Sequence, residues 1–275
     1  MSSFPISGMC ALCHQVRELR DSHLVPKALY RLTHLKARGA ADPVIVTSTI
    51  RRQTSFQARK HLLCGDCEAR FDRNGENWVM RHCYRGYDRF RLRGLLGKTK
   101  PIYTDEDEEL VVYDASGVAG MSIEKMVYFA VSVFWRASVC DWESSGQPYA
   151  PISLGTRYQE QVRQFLLGEA DFPQNAARML VVSQLPRPHV TFSFPYTTRL
   201  ETRHAHTLHI PGLTFQLSLG AQNDPGTNET CIVRSAWHPI LVCHAGDARV
   251  QQSILRLMGK TAPSWGKYPL VNGVV

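Results

Sequence analysis

The 275-residue chain has no long apolar run: its longest, Met126 to Trp135 in MVYFAVSVFW, covers ten residues, half of the roughly 20 that a bilayer-spanning helix needs. Its first residues, MSSFPISGMC, have no basic stretch leading into an apolar one, so neither export nor membrane insertion is expected and a cytoplasmic location is. No Gly-rich phosphate loop, no nucleophile elbow and no repeat of fixed period occurs, which sets aside the chemistry and architectures those patterns carry. What remains is ordinary for a folded protein. With 44% hydrophobic and 20% charged residues, 19 Gly and 15 Pro, the chain is neither collagenous, coiled-coil nor wholly disordered. Its length allows one large domain or two ordinary ones.

Acidic residues are scarce at one end only. Residues 1–100 hold 19 Lys/Arg against 8 Asp/Glu, a balance of +11, while residues 101–275 hold 13 against 16, a balance of −3. A segment this rich in Arg and Lys neutralises phosphates and releases their counterions, which makes nucleic acid, DNA in particular, the expected partner. A solvated basic surface is the plainer alternative. The charge changes sign at TDEDEEL, from Arg- and Lys-rich YRGYDRFRLRGLLGKTK to the acidic run Asp105–Glu109. That change places a boundary near residue 100, with a basic N-terminal domain over 1–100 and a second domain over 101–275 whose role is open, binding of a protein partner included.

Cysteine is clustered rather than dispersed. Of eight, four form two Cys-x-x-Cys pairs, Cys10/Cys13 and Cys64/Cys67. In a reducing compartment such pairs bind zinc more often than they form disulfides, and four thiolates suit a closed, tetrahedral, structural zinc site. The intervening segment is too long for a simple ribbon and must itself be structured. A short hairpin is expected over VRELRDSHLVP, a helix after Pro26 over KALYRLTHLKA, a strand near Val44–Ile50, and a helix from the second pair over CEARFDRNGENWVMRHCYR. A knuckle, a hairpin and a second knuckle opening a helix make a treble clef.

Within that frame stand Asp21-Ser22-His23-Leu24-Val25-Pro26 and, later, His61-Leu62-Leu63-Cys64-Gly65-Asp66-Cys67-Glu68. Their order resembles the zinc-stabilised branch of the HNH endonuclease superfamily, over about residues 8–82. The resemblance implies a ββα-metal treble clef in which Cys10, Cys13, Cys64 and Cys67 hold structural zinc. It also implies that His23 is the general base taking a proton from the attacking water, and that a Mg²⁺ or Mn²⁺ beside it assists phosphodiester hydrolysis. Two positions differ from the family pattern: Ser22 precedes the histidine where a stronger ligand is usual, and Glu68 follows the last cysteine in place of histidine. Arg59 stands where the motif has its middle Asn. A carboxylate suits hard divalent cations, so Glu68 is the expected metal ligand. Glu76, eight residues on and within about 80° of the same helix face, is the second. The alternatives are that both are exposed carboxylates balancing nearby arginines, and that the whole is a catalytically silent zinc module that binds nucleic acid or a protein.

Candidate phosphate contacts are Arg51, Arg52, Arg59 and Lys60 before the second cysteine pair, and Arg85, Arg89, Arg91 and Arg93, which alternate with Tyr84, Tyr87 and Phe90. The rings either stack on bases or are buried under a charged surface. Beyond residue 100, Met121–Trp142 reads as a core helix apolar on nearly every face and TRYQEQVRQFLLGE as an amphipathic one. The runs RMLVVSQL, HVTFSF, LTFQLSL and TCIVRSAW read as strands of a mostly antiparallel sheet, and DARVQQSILRLMG as a closing helix. The fold class is therefore α+β: a zinc-bound ββα treble clef followed by a helical and antiparallel-sheet domain. His204 and His206, with Cys243 and His244, read as ordinary strand residues rather than a second metal site.

Overall fold

The fold is taken from a computed structural model that describes residues 5–33, 44–46, 50–85, 89–105, 110–144, 147–149, 152–173, 177–184, 191–200, 203–220, 229–233, 237–243 and 262–263. Chain order begins with β1 (Ser7–Met9), β2 (Val16–His23) and α1 (Lys27–Thr33), then β3 (Val44–Val46), β4 (Ile50–Gln53), β5 (Arg59–Cys64) and α2 (Gly65–Phe71). A wide helical turn over Asp72–Glu76 joins α2 to α3 (Asn77–His82), followed by α4 (Arg91–Leu96), β6 (Tyr103–Asp105) and β7 (Leu110–Asp114). The rest comprises α5 (Ile123–Val139), β8 (Trp142–Ser144), β9 (Gln147–Tyr149), α6 (Thr156–Leu167), β10 (Ala177–Gln184), β11 (Tyr196–Leu200), β12 (Arg203–Ile210), β13 (Leu213–Leu219), β14 (Pro239–Cys243) and β15 (Ala262–Pro263).

The local reasons are visible in sequence. Pro26 has no N–H to lose ahead of α1 and its fixed φ suits a helix start. The strand β5 runs from solvent into the core, with Arg59, Lys60 and His61 exposed and Leu62, Leu63 and Cys64 buried. It pairs antiparallel with β2, which pairs antiparallel with β1. The β2–β5 register slips between Arg20 and Asp21, where Arg20 faces Leu63 and Asp21 faces His61; a bulge of this kind re-aims the side chains beyond it. The expected hairpin over 16–26 is instead the single strand β2, whose partners come from before the first knuckle and from 36 residues downstream. These three strands with α2 form the ββα unit. Strands β3 and β4 fall where the sequence predicts one strand.

A seven-stranded sheet, in the order β11-β12-β13-β10-β14-β7-β6, forms the far layer. It is antiparallel except at β10–β14. Two expected strands are corrected: Thr191–Phe194 of HVTFSF, and Thr230–Val233 and Trp237 of TCIVRSAW, are turns or irregular chain. Pro-Arg-Pro and Pro195 flank the first, so neither end can supply ladder donors freely, and the neighbouring Pro239–Cys243 forms the strand instead. The expected helix over 247–259 lies outside the described residues.

Between the ββα unit and the large sheet lies α5. Met126 to Ala137 are buried without interruption, as a helix apolar all round requires. One side meets α2 and the wide turn, with Phe71 edge-on to Tyr128 and Trp135. Another meets the sheet, with Phe129 against Phe215 and Phe134 against His206. On a third, the Tyr128 hydroxyl donates to Leu166 O of α6 at 2.7 Å. One continuous core thus runs from Leu12 and Leu24 to Phe215 and Leu217, across residue 100.

Gly75 packs directly against the backbone of α5. In the wide turn, whose Asn77 N–H reaches back five residues to Asp72 O, a Cβ at Gly75 would lie 2.7 Å from Phe129 N and 2.8 Å from its Cα. Gly75→Ala is therefore expected to destabilise the protein by about 1–3 kcal/mol through overpacking, against the helix-propensity gain of roughly 1 kcal/mol. Gly94 in α4 has nothing within 4 Å of such a Cβ, so Gly94→Ala should stabilise by about 0.4–1 kcal/mol. Denaturant midpoints of the two variants test both signs; equal shifts would mean that α5 does not lie against Gly75.

Candidate metal centre and the His23 site

The first knuckle closes tightly before β2. Cys10 N donates to Gln15 O and His14 N to Cys10 O, both at 2.9 Å, and His14 takes a positive φ of 57° to complete the turn. Ala11 N donates to Leu62 O at 3.0 Å, which brings the knuckle against the end of β5. The second knuckle is the first turn of α2. The result is that the sulfur atoms of Cys10, Cys13, Cys64 and Cys67 all lie within 4.8 Å of one another.

These thiols fit a metal ion. Cys13 Sγ and Cys64 Sγ are 4.0 Å apart; a tetrahedron with Zn–S bonds of about 2.3 Å has sulfurs about 3.8 Å apart. Cys64 N donates to Cys10 Sγ at 3.3 Å, a contact that stabilises a thiolate. The hydrogen bond from Cys67 pulls the Cys10 thiol down to about 4, and the same contact, with burial, pushes Cys67 up. Four sulfurs this close resist ionising together, and a dication among them removes that conflict. Three of the four are buried, as a closed structural site requires.

His23 ends β2, half-buried beside α1, its ring 5.8 Å from that of Tyr30. Its Nε2 lies 2.7 Å from Gln57 Oε1. An amide oxygen can only accept, so Nε2 carries the hydrogen and the lone pair is on Nδ1. Burial holds the ring below its usual pKa of 6.5, partly opposed by the Gln57 bond and by Asp21. The imidazole is therefore neutral at pH 7, with one nitrogen ready to accept a proton. Gln57 carries no motif; its place opposite the β2 end depends on a chain reversal that sequence spacing does not reveal.

Neighbouring positions have separate roles. Ser22 is buried, its Oγ accepting from Leu63 N at 3.2 Å, so it ties β2 to β5 from inside. Asp21 accepts from Arg59 Nη1 at 2.7 Å on the exposed side. Glu68 is half-buried on α2, and its Oε1 is closed to solvent with no hydrogen-bond partner. An orphaned carboxylate oxygen is costly to bury, and a hard cation is a fitting partner for it. Glu76 is engaged otherwise: its Oε1 accepts from Arg136 Nη2 of α5 at 2.5 Å. The wide turn also interrupts the 100° per residue phase from which Glu68 and Glu76 were paired. Among the described residues, the four cysteines are the one group of three or more His, Cys, Asp or Glu whose ligand atoms converge.

Of the expected phosphate contacts, Arg59 and Lys60 are exposed on β5, with Lys60 Nζ donating to Asp141 O at 3.1 Å. Arg85, Arg89, Arg91 and Arg93 are all exposed around the Tyr84–Phe90 bridge. The rings of Tyr84 and Phe90 are buried edge to face, so in this segment the aromatics pack inward while the arginines face water. The side chains of Arg51, Arg52, His204 and Cys243, and all of Tyr87 and His244, lie outside the described residues. His206 is buried with Nδ1 3.1 Å from Thr197 Oγ1.

No helix among the described residues is long and apolar enough to cross a membrane. No family model matches the chain, and neither a curated protein nor a solved structure matches it.

The metal centre makes a direct prediction. Purified protein should carry one zinc per chain on the four cysteines, and Cys64→Ser should lose both the metal and cooperative unfolding of the ββα unit, because binding of this kind is folding free energy. Elemental analysis with a thermal melt tests it. Less than half an equivalent of metal in wild type, or an unchanged melt in the variant, would contradict it.

Proposed function

We propose that the protein is an HNH-like nuclease that hydrolyses DNA phosphodiester bonds, with His23 as general base. The observation that carries this is His23 itself: a neutral imidazole with Nε2 hydrogen-bonded to Gln57 at the end of the strand that the four-cysteine centre and β5 brace. Nδ1 takes a proton from water as its oxygen attacks phosphorus, and Gln57 keeps the ring in the tautomer that can do so. A Mg²⁺ or Mn²⁺ held by Glu68, whose Oε1 has no other partner, would supply positive charge against the charge growing on the phosphate and leaving oxygens. Arg59, Lys60, Arg85, Arg89, Arg91 and Arg93, with Arg51 and Arg52, grip the phosphate backbone. The Asp21–Arg59 pair is solvent-exposed, so it costs little to open in favour of phosphate.

One observation favours a different reading. Ser22 turns into the core and Glu76 is paired with Arg136, which leaves Glu68 with few protein co-ligands; a zinc module that binds nucleic acid or a protein partner without cutting fits that state equally. Substrate phosphate could complete the shell of a cation on Glu68, so assays need DNA present.

With supercoiled plasmid and millimolar manganese, wild type should nick or cut, and His23→Ala should be slower by about 10²-fold or more with DNA affinity and zinc content unchanged. Because burial lowers the His23 pKa, the rate should fall at acid pH as the ring protonates, with its midpoint below pH 6.5. Binding should weaken steeply with salt, and Arg91→Ala with Arg93→Ala should reduce the salt slope by about 2. If wild type and His23→Ala both leave supercoiled, linear and single-stranded DNA intact, the silent-module reading replaces the enzyme.

A further inference from the structure

A buried arginine reaches the site from the far side of the expected domain boundary. Arg136 lies on α5 with its side chain 2% exposed. Its Nη1 donates to the backbone oxygen of His23 at 2.9 Å, and its Nη2 donates to Glu76 Oε1 in the wide turn. Nε points back to Ser132 O of its own helix at 3.4 Å, and the guanidinium carbon stands 5.3 Å from the centre of the Phe71 ring on α2. The backbone oxygen of Arg136 in turn accepts from Trp142 Nε1 at 2.9 Å. One guanidinium thus touches the end of β2, the face of α2 and the turn after it. These are the three parts of the ββα unit whose relative placement sets where His23 points.

Burying this charge is expensive, and an apolar pair of the same volume would hold two helices together as well or better. A planar fork is nevertheless suited to holding two acceptors in one fixed geometry, which the rotatable donors of a lysine ammonium do not impose and an apolar residue cannot supply. The acceptor on β2 is the carbonyl of the base itself. A second contact acts from the same side: Phe192, which follows β10, packs edge-on to Tyr30 at 5.3 Å, and Tyr30 flanks the His23 ring.

We propose that Arg136 is a positioning residue for His23: by clamping the His23 carbonyl to Glu76, it fixes the aim of the imidazole, so the site is built by both halves of the chain and Glu76 serves the clamp rather than a cation. The inference rests on the nuclease proposal for its effect on rate, and on the His23–Gln57 geometry alone for its effect on the ring.

The test separates clamping from mere stability. Full-length Arg136→Met leaves the half-buried Glu76 unpaired and is expected to be destabilised; the double variant Arg136→Met with Glu76→Met removes both charges and should recover wild-type stability. If the pair is only structural, the double variant recovers cleavage as well. If Arg136 positions His23, the double variant stays folded, keeps zinc and KM, and remains at least 10-fold down in kcat. Arg136→Lys, which keeps the charge without the rigid fork, should fall between. In parallel, ¹⁵N NMR of His23 should show one tautomer with hydrogen on Nε2 in wild type and a mixture in the double variant. A double variant with wild-type kcat and an unchanged tautomer would overturn the proposal. Should wild type cut no DNA, the NMR result decides: a tautomer change upholds the clamp while the nuclease proposal falls, and no change refutes the clamp.

Discussion

Four sulfur atoms within 4.8 Å of one another can all be thiolates only with a cation among them, and the rest of the ββα unit depends on that constraint. Cys10 and Cys13 lie in a turn before β2; Cys64 and Cys67 end β5 and open α2. A metal ion on the four sulfurs would close a loop of 50 residues between Cys13 and Cys64, and it would seat the helix carrying Glu68 and Phe71 against the strand carrying His23. The short elements here, several of only three to seven residues, bury too little surface to hold that geometry alone.

The metal centre does not finish the job of stabilising the unit. The inner faces of α2 and α3 are covered by α5, which brings Phe129 against Gly75 and the Arg136 guanidinium against Phe71, Glu76 and the His23 carbonyl. Helix α6 adds to the same cover. Arg163 Nη1 donates to Leu12 O inside the first knuckle, and Arg70 Nη1 donates to Leu167 O, both at 2.8 Å. Charged side chains from each half thus reach the backbone of the other. The seven-stranded sheet lies behind α5 and completes the burial of that helix.

Much of this was legible in the chain. Paired cysteines predict a convergent site because the spacing permits little else, Pro26 marks the start of α1, and the run Met126–Trp135, apolar but for Ser132, requires a helix buried on all sides. Charge was less informative about architecture. The jump from +11 to −3 suggests a boundary near residue 100, and the core that joins Phe71 to Phe129 and Phe215 runs across that point. Strands failed where backbone donors were missing, as in the proline-flanked segment at 191–195. The roles of Ser22, Gln57, Glu76 and Arg136 are hidden for a related reason: they depend on hydrogen bonds that span 34 to 113 residues of sequence, and no local pattern encodes that distance. Glu76 in particular was paired with Glu68 by a helical phase that the wide turn at Asp72–Glu76 interrupts.

In the proposed nuclease, His23 at the end of β2 and the Glu68 carboxylate would act on one phosphate. The most direct measurement of that arrangement is the crystal structure of the full chain carrying His23→Ala, grown with manganese and an intact DNA duplex, with anomalous scattering used to locate the metal. The account predicts a manganese peak coordinated by Glu68 and a phosphate oxygen, with that phosphate lying beside residue 23. Manganese absent from Glu68, or DNA seated on a surface remote from residue 23, would contradict it.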